Sequence, residues 1–231
     1  MPTAQKEKCG YAGLYNRVFK RVFDFVAALI LSVLLLPVVA VFAVMIAVED
    51  GFPVFYTPLR GGYKGKPFRI IKFRTMVKNA DKLGGGTTAL NDPRITRSGA
   101  FLRKVKGDEI VQIYNVLIGN MSFVGPRPEL LKYTDRYEGD EKLIFEVRPG
   151  ITDYSSLELI SLDEIVGADN ADEMYEKYVL PHKNALRVKY AREVSLKTDF
   201  MLFFKTVFSV LKKAFNYISA AKEQDDGVHN S

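Results

Sequence analysis

The chain has 231 residues, 48% of them hydrophobic, with 33 Lys and Arg against 27 Asp and Glu and a formal charge of +6. That is enough apolar material for a packed core, which excludes a disordered chain, and the basic excess points to an anionic partner. One cysteine, Cys9, excludes an internal disulfide and a cysteine-based zinc site, and fits a reducing compartment.

The polar N-terminal arm, residues 1–16, is followed by an apolar segment over 17–50. From Phe25 to Val48 no residue is charged, and only Ser32 and Pro37 are not hydrophobic. A run this long can cross a bilayer core of about 30 Å. It exceeds a signal-peptide core, and Glu49-Asp50 stands where a cleavage site is wanted. Both flanks are basic. Lys6, Lys8, Arg17, Lys20 and Arg21 precede it, and thirteen Lys and Arg follow between Arg60 and Lys106 with only Asp81 and Asp92. Positive charge favours the cytoplasmic side, so both ends ask for the same side. Pro37 breaks the run into Val22–Leu36 and Val38–Val48, about 22 Å and 16 Å as helices, each too short to span. A re-entrant hairpin is the preferred reading, with a single span or a buried soluble helix as alternatives. Asp24 is expected to pair with Lys20 or Arg21, four and three residues earlier.

The body over 51–218 opens with two strands, Phe52–Thr57 and Phe68–Met76, joined through Gly61-Gly62 and a Lys64–Pro67 turn into a hairpin. The Gly- and Asn-rich stretch after Lys78 reads as a long loop, and it lacks the Lys-Ser/Thr ending of a phosphate-binding P-loop. A short helix covers "ITRSGAFLRKV". Ile110, Ile113, Tyr114, Leu117 and Ile118 then recur at helical spacing up to Gly119-Asn120. Asp108 and Glu109 fall in the first turn of that helix. Acids there offset the helix dipole by about 0.3–1 kcal/mol, which is sufficient reason for them on residue type alone. Their setting suggests more. A basic stretch precedes them, and Gly125-Pro126-Arg127-Pro128 follows the helix, a rigid frame that aims one guanidinium as phosphate recognition requires. Carboxylates, cations and an apolar anchor together suggest phosphoryl chemistry on a lipid substrate with a hard divalent cation. Near the C-terminus, "LKTDFMLFFKTVFSVLKKAFNYI" carries Phe200, Phe203, Phe204, Val207, Val210, Leu211 and Phe215 on one face, with Lys205, Lys212 and Lys213 nearby. It reads as an interfacial helix or as a helix packed on the core. Residues 219–231 read as a frayed tail. Neither His182 nor His229 is assigned a catalytic role.

The motifs "KRVFDF", "KFRTM", "LRKVKGDE", "QIYNVLIGNMSFVGPRP" and "VRPGIT", in this order, resemble the bacterial sugar transferases called monotopic phosphoglycosyl transferases, from Phe19 to about Lys213. The resemblance implies a membrane-associated α/β (α+β) fold with one re-entrant helix broken at Pro37, on the cytoplasmic face of the bacterial inner membrane. It implies transfer of a sugar-1-phosphate from a UDP-sugar to polyprenyl phosphate with release of UMP. Asp108 would be the nucleophile and Glu109 a ligand of Mg2+, with Arg127, Arg103 and Lys72 as phosphate-binding residues framed by Pro126 and Pro128. The partners would be those two substrates and membrane lipids, with no nucleic acid, and a homodimer left open. Three departures stand out: Leu36 where the family has Ser, Lys106 where it has a Ser or Thr cap, and "DYSSLELISLDEIVG" where many members continue Gly-Trp-Ala. The rival reading is a non-enzymatic basic adaptor for anionic lipid or nucleic acid, which has no need of an acidic pair there. A second rival, a single-span enzyme with its domain outside the cell, would lack nucleotide-sugar donors.

Overall fold

The computed structural model describes residues 9–80, 92–158, 171–209 and 212. The start of the arm, the glycine-rich loop, most of the segment after "DYSS", the tail with His229, and Val210, Leu211, Lys213 and Phe215 lie outside those residues.

A π turn, Tyr15–Phe19, leads into helix α1, Lys20–Leu34, and after Leu35 the chain continues as α2, Leu36–Asp50. The axis bends by 59° at this break. The expected arms met at Pro37, but the break falls at Leu35 and Pro37 sits in the first turn of α2. There its missing N–H costs nothing, because first-turn N–H groups have no helical partner. Each helix has 15 residues, about 22 Å long. Among the described residues no single helix is long and apolar enough to cross a membrane, and this bent pair reaches that length and composition only together.

The inward face of α1 and its leading turn is largely polar, that of α2 is apolar, and both helices are apolar outside. Asn16, Lys20, Asp24 and Ser32 recur every four residues with Ala28 among them, and all five are buried. Phe19, Val22, Phe23, Val26, Ile30, Val33 and Val48 are exposed. Three of these polar residues are tied to the body, while the Ser32 hydroxyl donates to the Leu29 carbonyl of its own helix. Asn16 donates to the carbonyls of Tyr11 and Glu146, Lys20 pairs with Asp199, and Asp24 accepts from the Phe123 N–H at 3.2 Å. Asp24 therefore forms no ion pair with Lys20 or Arg21, as local helix spacing had suggested. Lys20 is drawn to Asp199, and Arg21 donates to the carbonyls of Val116 at 2.6 Å and Leu117 at 2.8 Å.

The hairpin forms as two short ladders, β1 (Phe55–Tyr56) with β4 (Lys72–Phe73) and β2 (Leu59–Arg60) with β3 (Phe68–Arg69). Phe55 faces Phe73 and Leu59 faces Arg69, so one antiparallel register runs through both, interrupted at Pro58, which has no N–H to give. A second, parallel pair joins β5 (Ser122–Val124) to β6 (Gly150–Thr152). The sequence pattern did not reveal this pair.

Helix α3, Arg97–Lys104, starts on the Thr96 side chain, which accepts from the Gly99 N–H. Its first amides also donate to Glu49 at the end of α2, at 2.7 and 2.8 Å. A Cβ at Gly99 would lie 2.0 Å from the Thr75 carbonyl oxygen, so only glycine lets α3 approach the hairpin this closely. Next come the 3₁₀ turn Gly107–Gln112 and helix α4, Ile113–Ile118, which ends at Gly119 with φ of 99°. The rest of the body is helical: α5 (Leu131–Thr134), the 3₁₀ turn Gly139–Glu146, α6 (Tyr154–Glu158), α7 (Ala171–Met174), α8 (Leu180–Glu193) and α9 over 196–209. The fold is mixed and helix-rich, with small strands.

Apolar clusters hold these elements around the dyad. Ala28 of α1 packs with Phe68, Ile70, Ile113 and Val116. Val39 and Ile46 of α2 pack with Phe73, Leu102 and Val111. Val124, Tyr190, Val194 and Leu202 join β5 to α8 and α9. The cluster on α2 grips the turn bearing Asp108 and Glu109 through Val111, which is fully buried. On α9, Leu202 is buried while Phe200, Phe204 and Phe208 are exposed, the last by 71%. This helix is thus packed on the body along one side and apolar toward the outside on another.

Candidate active site

Asn115 docks α4 on the hairpin. Its Oδ1 accepts from the Ile71 N–H and its Nδ2 donates to the Arg69 carbonyl, both at 2.8 Å, so one fully buried side chain satisfies an outer strand edge. The next hairpin residue, Lys72, is thereby brought to the dyad. Lys106, just before the turn, adopts a left-handed conformation with φ of 56° and gives no side-chain cap. The 3₁₀ turn starts there, and the α-helix proper only at Ile113. Asp108 and Glu109 keep their expected place in the first turn.

The two carboxylates are in different states. Glu109 Oε1 accepts from Lys72 Nζ at 2.7 Å, and Arg127 Nη2 donates to both Glu109 oxygens at 2.6 and 2.7 Å. Burial alone would raise the Glu109 carboxyl. The Arg127 guanidinium and Lys72 ammonium outweigh it and hold that carboxyl well below the usual range. The Arg127 guanidinium is in turn held above its ordinary value by Glu109. The Asp108 side chain takes no hydrogen bond from another side chain among the described residues. Burial, then the neighbouring Glu109 charge, pushes its carboxyl up, while Lys72 and Arg103 pull the other way. One carboxylate is clamped and ionised; the other is half-buried, without a side-chain partner among the described residues, and its anion is poorly stabilised.

Arg127 is fixed at three points. Beyond Glu109, its Nη1 donates to the Ile151 carbonyl at 2.8 Å and its backbone N–H to Asp153 Oδ2 at 3.1 Å. Gly125 N–H donates to the Thr152 carbonyl and Gly150 N–H to the Pro126 carbonyl, so β6 closes around the Gly-Pro-Arg-Pro loop. Pro126 is buried and Pro128 half-buried, and both shape this loop. Asp153 is itself buried, and Ser155 and Ser156 donate to it at 2.7 to 2.9 Å. Arg103 lies on α3, its Nε donating to Thr75 Oγ1 at 2.8 Å, and its charge acts on Asp108.

The structure therefore brings Asp108, Glu109, Lys72, Arg103 and Arg127 together, and leaves Pro37 in the helical pair. The residues that sequence reasoning missed are Asn115, Thr75 and Asp153, which place the others. Asn115 lies inside "QIYNVLIGN", where the apolar spacing draws attention to its neighbours. Asp153 begins the stretch that departs from the Gly-Trp-Ala pattern, and that departure is its one signal. A cavity of about 140 Å3 opens elsewhere, between Tyr133, Tyr137, Pro181 and Asn184. We locate the site by the dyad and its cations, since that cavity touches none of them.

The pattern of the bacterial sugar transferase family matches residues 15–213. The chain belongs to that family. It is 34% identical over 195 residues, 83% of this chain and 69% of the relative, to a UDP-glucose:undecaprenyl-phosphate glucose-1-phosphate transferase of Caulobacter vibrioides. It is 36% identical over 198 residues, 84% of this chain, to the enzyme of the same name in Escherichia coli (strain K12). The UDP-galactose-lipid carrier transferase of Erwinia amylovora is 35% identical over 213 residues, 86% of this chain. The chain spans about two fifths of the length of these last two, 40% and 41%. Membership in a family of transferases favours the enzyme reading over the basic adaptor.

Proposed function

We propose that this protein moves a sugar-1-phosphate from a UDP-sugar to polyprenyl phosphate through a covalent intermediate on Asp108. The observation that carries this is the unequal dyad: Glu109 is clamped by Lys72 and Arg127, while Asp108 beside it has no side-chain partner among the described residues and a destabilised anion. A carboxylate in that state is a better nucleophile than a solvated one. In the first step an Asp108 oxygen forms a bond to the β-phosphorus. The bond from that phosphorus to the bridging oxygen breaks, and UMP leaves with the electron pair. In the second step an oxygen of the acceptor phosphate attacks the same phosphorus and the bond to Asp108 breaks. Lys72, Arg103 and Arg127 offset the charge of the phosphate groups, which otherwise repel an attacking carboxylate. The names of the relatives support this donor and acceptor chemistry. They differ in their sugar, glucose or galactose, so the sugar is left open.

A divalent cation fits these residues. Mg2+ is commonly held by one or two carboxylates with substrate phosphates and water. Glu109 Oε2 accepts one hydrogen bond and keeps a lone pair, so Glu109 is the residue that would hold the ion. Among the described residues no cluster of three His, Cys, Asp or Glu would bind a metal alone, which favours an ion arriving with the nucleotide. When bound it would neutralise phosphate charge.

The apolar outer faces of α1, α2 and α9 support a monotopic placement with α1–α2 re-entrant, and the basic residues on both flanks of the apolar run are the reason to put the body on the cytoplasmic face of the bacterial inner membrane. With Cys9→Ser, single substitutions Ala12→Cys and Lys78→Cys would both resist a membrane-impermeant thiol reagent in intact cells and react after lysis. Labelling of the Lys78→Cys protein from outside in nearly every molecule would rule the re-entrant form out. For the chemistry, enzyme mixed with donor and no acceptor should release UMP up to one equivalent and gain the mass of a phosphosugar. A donor that turns over with neither burst nor adduct would favour direct one-step transfer.

A further inference from the structure

Beyond Arg127 the chain gathers more cations than acids. Glu129, two residues on, accepts from Arg187 Nη2 at 3.0 Å and from the Tyr175 hydroxyl at 2.6 Å. That pairs one acid with one arginine. Lys183, one helical turn before Arg187 on α8, is directed to the same place. Its Nζ lies 3.4 Å from the Tyr175 hydroxyl and 4.8 Å from the centre of that ring. Arg60 of β2 is half-buried within the influence of the same Glu129 and Tyr175, and its hydrogen bond goes to the neighbouring Leu59 carbonyl. Among the described residues neither Lys183 nor Arg60 has an ion-pair partner.

A half-buried ammonium without a counter-ion is unfavourable, and three N–H donors are poorly used on one hydroxyl at the far limit of hydrogen bonding. The Tyr175 ring compensates in part, as a cation over an aromatic face does. The cost shows in the ionisation of Lys183: burial, then the Arg187 charge, pulls its ammonium below the ordinary range against the pull of Glu129. Arg127 and Asp153 act on it as well, and Asp108 acts on Arg127. Arg127 thus lies within electrostatic reach of both the dyad and Lys183.

Resting on the transfer reading above, we propose that Lys183, with Arg60 in the field of the same Glu129 and Tyr175, binds a phosphate oxygen of a substrate on the side of Arg127. The ligand chemistry is a phosphate ester, and it has two sources: the diphosphate of the UDP-sugar or the head of the polyprenyl phosphate. An anion there completes the neutralisation that Glu129 leaves unfinished.

The test uses the full chain in detergent, as wild type, Lys183→Gln, Lys183→Arg and Arg60→Gln. Binding of UDP and of undecaprenyl phosphate is titrated directly by calorimetry, and KM and kcat are measured with each substrate varied in turn. Lys183→Gln should weaken one ligand about tenfold and raise the matching KM about tenfold, as loss of one charge-assisted phosphate contact does, with kcat changed less than about threefold. Lys183→Arg should restore most of the affinity. A loss confined to UDP assigns the donor, and a loss confined to undecaprenyl phosphate assigns the acceptor. Unchanged affinity for both overturns the proposal. Should Lys183→Gln melt early, Arg60→Gln decides in its place: weaker binding of one ligand supports the site, and unchanged binding of both overturns it. If wild type binds both ligands yet turns over no UDP-sugar, the transfer reading fails, while the titrations still decide the role of Lys183.

Discussion

The helical pair α1–α2 and the dyad cluster are built on opposite plans. The pair turns a broad apolar face outward and, on α1 and its leading turn, keeps Asn16, Lys20, Asp24 and Ser32 inside, each with at least one hydrogen bond. The dyad cluster gathers Lys72, Arg103, Arg127, Asp108 and Glu109 around one turn, and there one charge, Asp108, has no side-chain partner among the described residues. In the first region every inward polar residue has a hydrogen-bond partner through at least one atom, although Asp24 Oδ2 is buried with none among the described residues, and those partners fix the chain in place. In the second the group without a side-chain partner is only half-buried, so it stays open to a substrate while its ionisation is disfavoured, as expected where chemistry needs it.

The largest expected effect breaks this comparison within the dyad. Asp108→Asn removes the nucleophile and should lower turnover on the order of 10⁴-fold or more. It should also stabilise the fold. The folded-state pKa of Asp108 is raised, so its ionisation costs folding energy once the pH passes the ordinary carboxylate range. The melting temperature of Asp108→Asn should exceed wild type by about 1–3 °C at pH 7, and the gain should vanish at acid pH, where both states are protonated. A melting scan across pH checks this, and a less stable Asp108→Asn would mean the aspartate is a structural ion.

Glu109→Gln should do the reverse. The folded-state pKa of Glu109 is depressed, so its contribution is complete above the ordinary carboxylate range and is lost as the pH falls below it, where the unfolded chain takes up protons first. Removing the charge leaves Arg127 and Lys72 without their shared partner. Both are partly solvated, with side chains 33% and 26% exposed, so the expected loss is about 1–3 kcal/mol and not that of a fully buried pair. Denaturant unfolding at pH 7 should show this loss, with a flatter acid branch than wild type. Turnover should fall as well, on the order of 10²-fold, with a weaker response to Mg2+.

Much of the site was legible because its chemistry lies in short runs. Asp108-Glu109 are adjacent, Arg127 is framed by prolines, and Lys72 sits in a strand of alternating residues. The hairpin was legible for the same reason, although the interruption of its register at Pro58 was not. What stayed hidden was long-range. Lys20 and Asp199 are 179 residues apart, and a helical wheel offers Lys20 only Asp24. The β5–β6 pair joins segments too short to show a period of two. Pro37 was read as the break itself, whereas the chain places it in the first turn of α2, where proline is tolerated.

A smaller effect concerns Asp153, which accepts the Arg127 N–H. Asp153→Asn keeps the size but leaves one acceptor oxygen where two now serve Arg127, Ser155 and Ser156. The loop holding Arg127 should loosen. Donor KM should rise about tenfold with kcat within about threefold, because a phosphate-binding guanidinium is displaced while the nucleophile is not. Equal loss in both parameters, together with early melting, would assign Asp153 to the fold alone.

The smallest effect tests the joint between the two regions. Arg21 belongs to α1, yet its guanidinium ends on the Val116 and Leu117 carbonyls at the C-terminus of α4, whose other end leads from the dyad turn. A cation on the last carbonyls of a helix typically contributes about 0.3–1 kcal/mol. Arg21→Gln can still donate one hydrogen bond but loses the charge and the second contact. It should lower the melting temperature by about 1–4 °C with kcat and both KM values within about twofold of wild type. That outcome would mean α1 steadies the dyad helix without tuning it. A kcat loss beyond about tenfold at unchanged stability would instead make the outward-facing helix part of the catalytic geometry, and the division between the two regions would fail at Arg21.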